Sequence, residues 1–185
     1  MVFEIDQIFE NLKSLPKGEY ENCEFRNCDF SNSDFSSYKF FSCEFLDCNL
    51  SLVKLQDSVW QQIQFKTSKC LGLQFENVNP FGFSVSFENS ILNNSSFYAM
   101  GLKKTNFLNC QLKEVDFSSA NLSEANFQNS DLTGAQFDHT NLEKADFRLA
   151  YNWKINPNEN KLKKTKFSKE NILGLLSNFD IILEP

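Results

Sequence analysis

The groups in this chain that could do chemistry are six cysteines, one histidine, and carboxylates and lysines gathered in separate stretches. Cys23, Cys28, Cys43 and Cys48 are the thiols nearest one another in sequence, separated by five, fifteen and five residues. A thiolate zinc site is built from close pairs such as CxxC, and no such pair is present. His139 could serve as a general base, but acid–base or nucleophilic chemistry needs partners grouped around it, and the spacing identifies none. No glycine-rich loop that could cradle a phosphate appears. These patterns point away from catalysis, a resident metal or a bound cofactor, and leave charge as the usable chemistry. The formal net charge is -6, distributed as -6 over residues 1–60, +2 over 61–115, -4 over 116–160 and +2 over 161–185. Acids therefore concentrate between Glu19 and Asp57 and again between Asp116 and Asp146. Bases concentrate in a run of Lys161, Lys163, Lys164, Lys166 and Lys169. That balance disfavours direct nucleic-acid binding, which draws on a net positive surface.

What positions these groups is a five-residue period. From Val115 to Arg148 the chain reads VDFSSANLSEANFQNSDLTGAQFDHTNLEKADFR, with a large apolar residue at every fifth place: Phe117, Leu122, Phe127, Leu132, Phe137, Leu142 and Phe147. Two places before each stands a small residue, as Ala120, Ala125, Ser130, Ala135, Thr140 and Ala145 do. Neither a helix nor a flat strand has this period. If the large and small residues both point inward, the other three positions face water and the chain must coil tightly. Phe and Leu alternate as unit centres, so like residues recur after twenty: Phe87, Phe107, Phe127 and Phe147 in one column, Leu92, Leu112 and Leu132 in the next. Four units then make one square turn, with turns stacking about 4.8 Å apart and two opposite aromatic walls. Cys23, Cys28, Cys43, Cys48 and Cys110 fall in the small slot and Cys70 at a centre, which makes them buried, reduced packing residues. Asn89, Asn109 and Asn129 would stack outside as an amide column.

The units ANLSE, ANFQN, SDLTG and ADFRL resemble the pentapeptide-repeat proteins, whose motif is A(D/N)LXX, and about 25 near-continuous copies cover most of the chain. The resemblance implies an all-β solenoid, a right-handed quadrilateral β-helix. The organisation expected is an N-terminal cap over 1–18, the repeat body over 19–150, and a loop, helix and tail over 151–185. Within the body, arrays 19–77 and 85–150 flank a register break at 76–86, because centres Phe75 and Phe87 are twelve rather than ten residues apart. Asn79, Pro80, Phe81 and Gly82 form a bulge or short projecting loop there, either a tolerated insertion or a binding loop presenting Phe81. Ile5, Ile8, Phe9, Leu12 and Leu15 lie on one face of a short N-terminal helix with Asp6 as its cap, a short strand being the alternative. Ser168 is the expected N-cap of a second short helix reaching Asn178. No apolar run approaches the roughly 20 residues of a membrane span, and the N-terminus lacks a secretory pattern, so a cytoplasmic protein is expected.

Two arrays with one break, INPN after the last turn and the terminal ILGLLSNFDIILEP resemble the gyrase-protecting branch of the family, the quinolone-resistance and microcin-B-immunity type. The resemblance implies a homodimeric rod whose acidic face imitates DNA on DNA gyrase or topoisomerase IV, conferring antibiotic or toxin resistance. Leu173, Leu176, Phe179, Ile181 and Ile182 would form the dimer contact. Asp116, Glu124, Asp131, Asp138, Glu143 and Asp146 would stand in for phosphates. Duplex DNA carries one charge per about 1.7 Å, so a rod with net charge -6 can imitate it only locally. The rival reading, from another class, is a solenoid scaffold for an unrelated protein partner. Neither reading requires a membrane, a small-molecule substrate or direct nucleic-acid contact.

Overall fold

Phe107 and Phe127, twenty residues apart in sequence, lie face to face with ring centroids 5.1 Å apart and planes 2° from parallel. That contact is one step of a continuous column. In a computed structural model describing residues 1–179, 181 and 182, Phe9, Phe25, Phe45, Phe65, Phe87, Phe107, Phe127, Phe147 and Phe167 stack in turn. Across the bore, Phe75, Phe97, Phe117 and Phe137 make a second stack. The two aromatic walls meet edge to face, as in Phe107–Phe117 at 5.5 Å and 78°, the arrangement that opposes ring edges to ring faces. Leucines fill the walls between them in the later turns, and Tyr20, Phe40, Trp60, Phe30 and Cys70 take those places in the earlier ones; one contiguous core runs from Leu15 to Ile155.

The chain therefore forms a parallel solenoid with four faces per turn. Strands Val2–Ile5, Gly18–Glu21, Lys39–Phe41 and Val59–Gln61 pair in parallel on the first face, whose later centres are Leu102, Leu122, Leu142 and Leu162. The second face carries the long phenylalanine column, with a six-stranded ladder from Ile8–Glu10 to Phe107–Leu108. Isolated bridges such as Asp29↔Asn49 and Gln111↔Asp131 hold the third face, and Asp34↔Lys54 and Asp116↔Gln136 the fourth. Most corners are made by the residue two after a centre, which adopts a positive φ: Asn89 (50°), Asn109 (53°), Asn129 (58°), but also Leu52 (59°) and Lys144 (60°). In the regular units the next small residue donates its N–H to the centre's carbonyl, as Ala120 N does to Phe117 O at 3.1 Å, a turn that requires φ > 0 at its third position.

The slots filled by thiols and hydroxyls have their own logic. Cys43 Sγ donates to Tyr20 O and Cys48 Sγ to Phe25 O, while Ser130 Oγ donates to Phe107 O and accepts from Cys110 N. These side chains tie successive turns together inside the coil. All six cysteines are buried and free. Burial pushes the Cys43, Cys48 and Cys110 thiols up to about 12, which keeps them protonated and unreactive at neutral pH.

Neither end forms the expected helix, and at the N-terminus the alternative, short strands, is what the chain adopts. The N-terminal residues form no helix: Val2–Ile5 and Ile8–Glu10 are strands that lay down a shortened first turn, with Phe9 opposite Phe25 and Asp6 at a corner (φ 55°). A helix of that length is marginal alone, whereas strands gain the open edge of the next turn and stack Phe9 on Phe25. At the other end, the helix expected from Ser168 to Asn178 is a single 3-10 turn, Ile172–Leu175, preceded by Asn171. Gly174 lies in its centre, against the Trp153 ring, where a Cβ would collide, and glycine weakens an α-helix. The coil also does not stop at Ala150. After a detour through Trp153 and Ile155 the chain re-enters register at Asn141↔Lys161 and Asp146↔Lys166, and Leu162 and Phe167 pack on the core.

Candidate partner-binding surfaces

The break in register occupies one place on the surface. Ile63 pairs with Val85 and Gln74 with Ser96, so this turn takes two residues more than its neighbours. The surplus emerges over the first face. Phe81 N donates to Asn79 Oδ1 at 2.9 Å, Gln61 Nε2 donates to Phe81 O at 3.0 Å, and Gly82 turns the chain with φ +71°. Pro80 and Phe81 are exposed, Phe81 at 84%. The loop interrupts the ladder of the first face, which ends at Val59–Gln61 and resumes as bridges at Gly101↔Asn121, while the ladder of the second face runs through unbroken.

The six acids singled out near the C-terminal end do not form one face. Asp116 and Asp138 lie on the fourth face, Glu143 on the first, Asp146 on the second and Asp131 on the third, with Glu124 at the corner between the first and second. Three are already engaged. Glu124 meets Lys103 at 3.7 Å and Lys104 at 3.9 Å. Asp146 is held by Arg148 at 2.7 Å and Lys166 at 3.7 Å. Asp131 is buried, bonded to Thr133 and Asn152 and 3.4 Å from Lys113. The Arg148 guanidinium holds the Asp146 carboxyl below its usual range. At Asp131 burial acts upward, but the hydrogen bonds from Thr133 and Asn152 prevail and its pKa is lowered. Asp116 accepts from Ser118 N at 2.8 Å, a local turn contact. Position along the sequence had grouped these residues; the twenty-residue circuit separates them.

The dense acidic surface lies instead on the first turns. Glu19 and Glu21 flank Tyr20 on the first face, Asp6 sits at the adjoining corner, Glu10, Glu24 and Glu44 follow on the second, and Asp47 turns the corner beyond it. Lys39, Arg26 and Lys66 partly offset them: Lys39 meets Glu19 (3.2 Å), Arg26 grips Glu24 (2.5 Å and 2.8 Å) and reaches Glu10 (3.5 Å), and Lys66 meets Glu44 (2.6 Å). Among the described residues Asp6, Glu21 and Asp47 make no ion pair. The excess of acids over residues 1–60 was the signal that could have located this surface. At the other end the last turn of the first face carries Lys161, Lys163 and Lys164, all exposed, with Lys144 one turn before.

The terminal apolar residues are exposed: Leu173 (55%), Phe179, Ile181 and Ile182, with Leu176 half-buried. Asp180 and 183–185, the rest of the expected dimer segment, lie outside the described residues. His139 is an exposed corner residue with φ 54°. Among the described residues no group of three or more His, Cys, Asp or Glu could hold a metal, and no helix is long and apolar enough to cross a membrane. The amides of Asn109 and Asn129 do meet, Asn129 Nδ2 donating to Asn109 Oδ1 at 3.0 Å.

Comparison with known proteins agrees with this architecture. The family profile "Pentapeptide repeats (8 copies)" matches residues 21–57, and "Pentapeptide repeat region" matches residues 83–151. No curated protein matches by sequence. Among solved structures, trypsin-treated QnrB1, a plasmid-mediated fluoroquinolone resistance protein, superposes with a TM-score of 0.67 at 16% identity, over 98% of this chain and 99% of that one. HetL, a pentapeptide repeat protein involved in heterocyst differentiation regulation in Nostoc sp. strain PCC 7120, gives 0.47 at 13% identity over 89% and 87%. The repeat register, the stacked walls and the profile matches on both sides of the break establish that this chain is a member of the pentapeptide-repeat family, with the fold of a right-handed quadrilateral β-helix.

Proposed function

We propose that the protein is a non-catalytic, DNA-imitating rod that docks its acidic first turns into the basic DNA-binding groove of a type II topoisomerase, DNA gyrase or topoisomerase IV, and modulates or protects it. The observation that carries this reading is the concentration of carboxylates on adjoining faces of successive turns. Turns about 4.8 Å apart present charge at a pitch comparable to the 3.4 Å phosphate rise of one DNA strand. The choice of partner is prompted by the shared fold, over 98% of this chain, with a trypsin-treated fluoroquinolone resistance protein. The exposed Leu173, Phe179, Ile181 and Ile182 support pairing of two chains end to end through their C-termini, doubling the rod and placing the acidic turns at its outer ends. The acids doing the work in this reading are Asp6, Glu21 and Asp47, which make no ion pair among the described residues, with Glu19 beside them, rather than Asp131 or Asp146, whose charges are already met.

The test is DNA supercoiling by purified gyrase, with and without a fluoroquinolone, in the presence of this protein or its Glu19→Lys, Glu21→Lys, Asp47→Lys variant. Inhibition of supercoiling, or relief of the drug, by the parent chain and its loss in the variant is the expected result. If neither effect appears at micromolar protein, the topoisomerase reading falls and the scaffold reading stands.

A further inference from the structure

Charge changes sign along the first face, and a projecting loop stands between its two ends. Its outward residues begin with Phe3, Ile5 and Asp6, then Glu19 and Glu21. The next turn adds Lys39, which meets Glu19 at 3.2 Å, and Phe41 beside Glu21; beyond it the middle turns carry Val59, Gln61 and the loop with Phe81, all uncharged. The far end carries Lys103 and Lys104, then Lys144, then Lys161, Lys163 and Lys164, against Glu124 and Glu143. One face is thus acidic at its start, aromatic at its centre and basic at its end. Centres Tyr20, Phe40 and Trp60 precede the loop and Leu102, Leu122 and Leu142 follow it, so Phe81 stands near the midpoint.

We propose that this face recognises itself: two copies lie side by side and antiparallel, first face on first face, about a two-fold axis through the Phe81 loops. A surface of this polarity is complementary to its own inverted copy, the requirement for a two-fold contact. The axis brings the lysine turns of each chain over the glutamate turns of the other, twice. The lysine stems cover the exposed Phe3 and Ile5 while their ammonium groups remain in water or over the ring. Phe81 meets its mate at the centre, the usual place for an aromatic anchor. The Asx turn to Asn79, the bond from Gln61 and the turn at Gly82 already hold that loop, so little order is lost on contact.

The dimensions set the strength. A strip about 40 Å long and about 10 Å wide buries on the order of 800 Å² in total, at the low end for specific association. Its attraction is between exposed charges and is screened within about 8 Å at physiological salt. The pairing is therefore weak and salt-sensitive, unlike an apolar contact through the C-terminus. It also covers Glu19 and Glu21, so it competes with any basic partner. The inference does not depend on the topoisomerase reading.

The experiment uses the full chain carrying Leu173→Asp and Phe179→Asp to remove end-to-end pairing. Sedimentation velocity is recorded at about 20 mM and about 500 mM salt. Association with concentration is expected at low salt and its loss at high salt. In that background Glu19→Lys with Glu21→Lys makes both poles basic, and Lys163→Glu with Lys164→Glu weakens the basic pole towards acidic. Each is expected to be monomeric alone, and an equimolar mixture is expected to reach the mass of a dimer. Phe81→Ser, on an exposed loop, is expected to weaken low-salt association at least about tenfold. A mixture that remains monomeric, or reversed chains that self-associate as the parent does, overturns the proposal. So does a lysine pole that binds an added oligonucleotide while the parent stays monomeric at low salt, which would assign that pole to nucleic acid instead.

Discussion

Removing the ring of Phe127 tests the column at its most regular point. The ring is fully buried, stacked on Phe107 at 5.1 Å and Phe147 at 4.7 Å, and met edge-on by Phe117 at 5.8 Å and Phe137 at 6.3 Å. Phe→Ala in a core costs about 3–5 kcal/mol, and each favourable aromatic pair adds roughly 0.5–1.5 kcal/mol beyond area alone. The flanking rings are held by their own turns and cannot collapse into the gap, so Phe127→Ala should cost about 5 kcal/mol, the top of that range. Phe167→Ala removes a half-buried ring that stacks on Phe147 on one side and meets Trp153 at a tilt beyond it. It should cost about half as much. Because a solenoid's turns contact only their neighbours, the central loss also uncouples the turns before and after it. Equilibrium urea unfolding followed by circular dichroism reads the size. Native-state hydrogen exchange reads the uncoupling, as protection that falls on the C-terminal side of Phe127 before the N-terminal side. A cost below about 2 kcal/mol, or equal to that of Phe167→Ala, would refute the claim that the stacked column carries the fold.

Three further outcomes follow from the corners and the engaged acids. Leu52 turns a corner at φ 59° with its side chain exposed; Leu52→Asn, a residue that tolerates this region, should raise stability by about 0.5–1 kcal/mol in urea unfolding. Gly134 has φ +70° and an added Cβ would meet the Glu114 carboxylate, so Gly134→Ala should destabilise by roughly 1 kcal/mol, with Glu114→Ala in the same chain recovering part of the loss. The Asp131 and Asp146 carboxyls have folded pKa values below their unfolded ones. Their contribution is therefore complete above the unfolded value near pH 3.9 and fades as pH falls through the folded values. Melting temperature should drop below about pH 4, and Asp131→Asn with Asp146→Asn should flatten that drop.

The inside of the rod was legible because inward positions are tied to the period. A Phe or Leu every fifth residue and a small residue two before it leave one way to close a core, and the contacts of Phe107, Phe127 and Phe147 follow from counting by twenty. Where the count is disturbed, counting alone fails. The first turn is four residues short, since Phe9 lies opposite Phe25, and its apolar residues fit a helical spacing as well as they fit strands. Only the open edge of the next turn decides for strands, and that edge is a tertiary fact. The last turn is hidden by the detour through Trp153 and Ile155, which separates Lys161 from the repeat it rejoins at Asn141. In both places local propensity was outweighed by stacking on a neighbouring turn.

Outward positions have no such constraint, and this is why acids near one another in sequence were poor evidence for an acidic face. Three of every five residues face water, and a step of five moves a side chain to the next wall, so Asp131 and Asp146, three steps apart, stand on different walls while Glu19 and Lys39 are neighbours at 3.2 Å. Charge on such a rod is read by column. Read that way, Glu21 and Lys163 lie on one column of the first face at opposite ends, with the two-residue surplus at Pro80 and Phe81 between them. The surplus adds residues without turning the later walls relative to the earlier ones, as the unbroken stack Phe65–Phe87–Phe107 shows. It is therefore an insertion that preserves the alignment of the acidic and basic ends. Deleting it, by removing Phe81 and Gly82, should leave both poles on the same face and the phenylalanine column intact while removing only the aromatic centre. Such a chain should unfold at nearly the parent's urea concentration yet associate as weakly as Phe81→Ser. A large loss of stability would mean instead that the loop holds the first face together.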